Sequence, residues 1–77
     1  MSAPTPCLVV AYSYAGEAVA FWQAEAPGQP GKWTTDPAQA TAMPTDEAAL
    51  IAGMWQDYAT AKASWTRYSH AAASNYR

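Results

Sequence analysis

From Thr45 to Arg77 the chain holds no proline and a single glycine, Gly53, in a stretch rich in alanine and other good helix formers. Nothing else in the sequence limits the fold so strongly, because such a run predicts one long helix over residues 45–76. Ile51, Tyr58, Trp65 and Ala72 recur at one heptad position, and Met54, Ala61 and Tyr68 fall on the line beside it. A stripe with a period of about 3.6 residues marks a helix with one buried face. Thr45 is the expected N-cap, its hydroxyl accepting from the amides near Glu47 or Ala48.

The residues before this run read as a small sheet. Pro4 and Pro6 keep the first residues extended. Cys7-Leu8-Val9-Val10-Ala11-Tyr12-Ser13-Tyr14 is β-branched and aromatic, and Ala18 to Glu25 repeats that character after a turn at Ala15-Gly16. A two-residue loop would set Val10 opposite Phe21. A type I turn through Tyr14 and Ala15, with Gly16 as a left-handed bulge, would set Val10 opposite Ala20 and suits the residues at least as well. Ala26 to Gly31, with two prolines and two glycines, is a loop. Lys32 to Thr35 has room for a short third strand, and Asp36-Pro37 starts a single helical turn. Thr41 to Met43 offers a further edge strand before Pro44.

These elements predict an α+β domain spanning residues 1–77, with sheet and loops over 7–43 and the helix over 45–76, packed as two layers. Lengths then conflict. A helix of that size runs about 45 Å, whereas an eight-residue strand spans about 27 Å. The expected helix therefore overhangs the sheet while still carrying Trp65, Tyr68 and Ala72, which calls for cover by the chain's own hairpin, a second copy or a partner.

Size sharpens the demand on the aromatics. A chain of 77 residues with one cysteine, Cys7, has a small core and no disulfide to reinforce it. Four tryptophans, five tyrosines and one phenylalanine must supply most of the burial. Residues 1–57 carry all six acids and one base, Lys32, for a balance of −5. Residues 58–77 carry Lys62, Arg67 and Arg77 with no acid, for +3. Acids at the start of a helix and cations toward its end are what the macrodipole favours, so this asymmetry has a structural reading before a functional one. The N-terminus lacks the basic region of a signal peptide, and Leu8 to Ala11 is too short to span a membrane, so a cytoplasmic protein is expected. Nineteen alanines fit a GC-rich bacterial or phage genome.

No motif carries chemistry, and no enzyme, cofactor or metal is expected. Cys7 and His70 are the one nucleophile–base pair, and nothing in the sequence brings them together. One cysteine and one histidine fall short of a zinc site. The glycines of Pro27 to Gly31 match no phosphate loop. Lys62, Trp65, Arg67, Tyr68, His70 and Arg77 interleave bases with rings as single-strand binders do, but the pI near 5.0 opposes a polyanionic partner.

Trp33-Thr34-Thr35-Asp36-Pro37-Ala38-Gln39-Ala40, followed by Met43, Thr45 and Glu47-Ala48, resembles small phage and prophage accessory proteins. In these a tryptophan closes a strand, an alanine turn follows, and a capped helix opens on acid-alanine; Met43 departs from the aromatic usual there. Size, alanine richness and the lack of catalytic residues are also similar to anti-CRISPR inhibitors of host defence. The resemblance implies a non-enzymatic protein-binding module that sterically blocks a host nucleic-acid-handling complex in a bacterial cytoplasm. Glu17, Glu25, Asp36, Trp33, Trp65, Arg67 and Tyr68 are the candidate partner-binding residues. The alternatives are a homodimer paired through its long helix and a small nucleic-acid binder using the basic helix end.

Overall fold

Val9 and Val10, flanked by Leu8 and Ala11, form an unbroken apolar run, the pattern of a strand covered on both sides. In the computed structural model, which describes residues 6–24 and 31–76, that run is the pivot of a four-stranded antiparallel sheet. The strands are β1 (Cys7–Tyr12), β2 (Ala18–Gln23), β3 (Lys32–Thr34) and β4 (Arg67–Ala72), in the spatial order β3-β2-β1-β4. One helix, α1 (Thr45–Ala61), and two 3-10 turns, Pro37–Gln39 and Ala73–Asn75, complete the α+β fold. Leu8, Val9 and Val10 are fully buried.

The sheet has a core on each face. Cys7 and Val9 meet Ala48 and Ala52 of α1, with Met43, Trp22, Trp33 and Ile51 around them. On the opposite face Leu8, Val10 and Phe21 pack with Ala40 and Ala73, closed by Tyr12 and Tyr76. The two short turns thus do for one face what the helix does for the other.

The long helix is the main correction to the sequence reading. It stops after 17 residues, about 26 Å, and residues 67–72 form a strand in place of its second half. Ala63 takes a left-handed conformation with φ 55°. The Ala63 amide donates to the Thr60 carbonyl and the Ser64 amide to the Ala59 carbonyl. These are the paired bonds of a Schellman ending, made here with alanine where glycine is usual. The predicted overhang shrinks with them, to a helix over six-residue strands of about 20 Å.

The buried face of α1 is Ala48, Ala52 and Ala59, not the stripe of larger residues. Rings from the strands already fill the space between the layers, so the helix approaches through alanine. Ile51 is half-buried, while Met54 and Tyr58 point outward. Thr45 is not the cap either. Pro44 holds that position, its carbonyl accepting from the Ala48 amide, and the Thr45 hydroxyl lies 3.3 Å from the Cys7 sulfur.

Both hairpin registers expected from the sequence are present, one at each end. The turn is the bulged one, with Gly16 at φ 86° and the Gly16 amide donating to Ser13. Tyr12 accordingly faces Ala18. A second bulge leaves Val19 unmatched, so that Ala11 faces Ala20 and Val10 faces Phe21 rather than Ala20. That slip turns Phe21 onto the face it shares with Val10. The third strand and the Asp36-capped turn form as read, with the Asp36 carboxylate accepting from the Ala38 amide at 3.0 Å. The edge strand expected over 41–43 is a single bridge between Met43 and Cys7.

Candidate functional site

Pairing places Trp22 directly opposite Trp33, and small residues beside them on the same face, Ala11 and Ala20, leave room above the sheet. Trp55 descends from α1 and Tyr68 rises from β4 into that room. Trp22, Trp33, Trp55, Tyr58 and Tyr68 form one chain of ring contacts with centroids 5.2–5.9 Å apart. Most are edge-on or tilted, the arrangement that ring quadrupoles favour. At the rim of this cluster opens an apolar groove of about 590 Å³, lined by Trp22, Gly31, Ile51, Met54, Trp55 and Tyr58. Gly31 is needed there, because a Cβ would run into the Trp22 ring and come within 2.8 Å of the Gln23 carbonyl.

Along the outer edge of the groove α1 presents Leu50, Met54 and Tyr58, which are 66%, 65% and 56% exposed. Spaced by four residues, they make one continuous ridge. Asp46, Glu47 and Asp57 are exposed on the same helix, so carboxylates flank the apolar ridge. Lys62 sits over the Tyr58 ring at 5.8 Å and closes the C-terminal end. Comparison with protein-family models, curated proteins and solved structures gives no match to this chain. The groove itself is apolar, lined by rings and by Ile51 and Met54, with exposed carboxylates on the same helix.

The residues named from the sequence do not converge on one patch. Trp33 and Tyr68 are half-buried in the ring cluster behind the groove. Trp65 and Arg67 lie at the far end of the sheet, where Trp65 is 73% exposed and stands edge-on to Tyr14 at 5.5 Å. A cleft of about 330 Å³ opens beside them, lined by Gln56, Thr60, Ala63, Ser64, Trp65, Thr66 and Arg67. Glu17 is in the hairpin turn, its carbonyl accepting from the Ser13 amide. Asp36 is occupied in capping its turn. Glu25 and Arg77 lie outside the described residues.

Nor do the interleaved bases and rings of the C-terminal stretch form one stripe. Tyr68 and His70 share the helix side of β4, while Arg67 and Ser69 alternate with them. Cys7 and His70 do share a face, since Val9 pairs with His70 and Cys7 with Ala72. Diagonal neighbours of that kind are roughly 7–8 Å apart, beyond hydrogen-bond reach. Among the described residues no three His, Cys, Asp or Glu side chains come together as ligands would, and no helix is long and apolar enough to cross a membrane.

The sequence reading missed Leu50 altogether and assigned Met54 and Tyr58 to the core. The signal was present, because the three recur at four-residue spacing. What hid it was residue size: a stripe of large side chains was expected inside, and the alanine stripe was the one buried.

Proposed function

We propose that this protein is a non-enzymatic binding module that docks through the groove beside α1 onto a partner presenting an apolar side chain among lysines and arginines. The observation that carries this reading is the ridge of Leu50, Met54 and Tyr58, more than half exposed beside ready-made rings. Exposed apolar surface of this kind on a small domain costs solvation free energy and marks an interaction site. Tryptophan and tyrosine at its floor are the usual anchors of a protein interface. Asp46, Glu47 and Asp57 supply the charge complement to a basic surface. A groove that otherwise takes nucleic acid is basic in that way, so steric blocking of a host nucleic-acid-handling complex, by a phage or prophage protein, remains the role we propose for it.

Tagged protein retrieving a partner from host lysate tests the surface when run beside Leu50→Lys with Met54→Lys. Both positions are exposed, so the double variant should keep its melting temperature and lose the partner. Retention of the partner by this folded variant would remove the groove from consideration. Retrieval by the native protein should also weaken as salt rises, because the flanking carboxylates contribute to recognition.

A further inference from the structure

The edge of β4 is independent of the groove and carries a different contact. Backbone groups of an edge strand alternate between its neighbour and open space. The Ala73 amide donates to the Pro6 carbonyl, so by alternation Ala71, Ser69 and Arg67 direct their backbone groups toward β1. Tyr68, His70 and Ala72 direct theirs away from the sheet. The Tyr68 amide confirms the phase, since it donates at 2.9 Å to the Gln56 side-chain oxygen of α1 rather than to β1. β4 holds no proline and no bulge, and its pairing with β1 is continuous over six residues. Such a strand is a template for another strand.

We propose that β4 pairs antiparallel with β4 of a second copy, about a two-fold axis at His70, to make one continuous eight-stranded sheet. Three features favour a second copy in this register. The outward-facing residues are symmetric about His70, and the two-fold axis sets bulky Tyr68 opposite small Ala72. Arg67 falls opposite Ala73, so no two arginines oppose each other as they would in a register centred on Arg67. Gln56 of α1 reaches the Tyr68 amide at this edge, Ala49, Gly53 and Thr60 fall on the same helical line, and a Cβ at Gly53 would meet nothing within 4 Å. Two helices brought side by side by the pairing therefore have room. Each His70 exchanges two backbone bonds with the partner's His70, and each Ala72 amide donates to the Tyr68 carbonyl opposite it. Gln56 limits the contact, because its side chain occupies the amide of Tyr68 that would otherwise extend the ladder.

Sedimentation of the full chain across micromolar to millimolar concentration tests this. The native protein should pass from monomer to dimer, and a monomer throughout would overturn the proposal. His70→Pro removes an outward-facing donor and fixes the backbone angle there, which an edge strand tolerates, and should abolish the dimer. A chain made by chemical synthesis with an N-methylated His70 amide removes the same donor without fixing the backbone angle, and should behave alike. His70→Ala keeps the donor and should dimerise as the native chain does. Gln56→Ala should tighten the dimer by about tenfold, through recovered Tyr68 bonds. A dimer that survives N-methylation, or one that Gln56→Ala loosens, would place the contact elsewhere.

Discussion

Tyr12 and Tyr76 join the first strand to the last turn through their hydroxyls, whose oxygens are 3.2 Å apart across 64 residues of chain. Burial, with the Tyr76 hydrogen bond and the Tyr76 charge behind it, pushes the Tyr12 hydroxyl up to about 12 from its ordinary 10.0. Below 10.0 folded and unfolded chains both hold this proton, and the contribution is intact. As pH rises from there to about 12 the unfolded chain releases the proton first, and stability falls. Melting temperatures should thus drop across that window. Tyr76→Phe should narrow the window, since the hydrogen bond and the charge both go; a native profile flat through it would contradict the burial.

Ala63 offers a gain. A residue other than glycine in the left-handed region costs about 1–2 kcal/mol, and Ala63 has open surroundings at the end of α1. Ala63→Gly should therefore raise the melting temperature by several degrees. Ala63→Val should lower it, since a branched side chain suits that region least.

Tyr58→Ala and Tyr68→Ala should separate surface from core. Tyr58 is 56% exposed and touches the cluster through Trp55 alone among the rings. Tyr68 is half-buried against Trp33 and Trp55. Truncating Tyr68 should cost about 2–4 kcal/mol, as large-to-small changes in a packed site do. Truncating Tyr58 should cost well under that in a chemical denaturation series and appear in partner binding. Equal losses in stability would mean the groove is ordinary core.

Gly31→Ala tests the floor of the groove. The added methyl meets Trp22 and the Gln23 carbonyl, and overpacking of this sort costs about 1–3 kcal/mol. The near-ultraviolet circular dichroism of the tryptophan cluster should change with it. An unchanged spectrum and stability would show that Trp22 does not pack on Gly31.

The sheet could be read from residues 7–23 because β-branched and aromatic residues there leave no other choice, and Asp36-Pro37 announced its turn. Residues 62–72 could not, and the reason is alanine. Helix endings are ordinarily signalled by glycine or proline, and here Ala63 does that work unmarked. Ser64-Trp65-Thr66 are three poor helix formers in succession, and Arg67, Ser69 alternate with Tyr68, His70 at the period of a strand. Those cues were outweighed by a heptad spacing that Tyr58, Trp65 and Ala72 meet by coincidence. The candidate site suffered likewise. Trp33 and Tyr68 are named from the sequence as partner-binding rings, but the meeting of Tyr68 with Trp33 and Trp55 behind the groove depends on β4, which a continuous helix leaves no room for.

The pairing of Cys7 with Ala72 and of Tyr12 with Arg67 has a consequence for how the protein comes into being. β1 is synthesised before β4 and must wait for a neighbour encoded far downstream, after the other strands and α1. Until β4 has left the ribosome, β1 has one open edge, and α1 has no Tyr68 to close over. Contacts this distant in sequence make folding slow and cooperative. A nascent chain still lacking residues 67–72 should therefore remain open to proteases and chaperones, and the protein should acquire its shape only after that last strand is released.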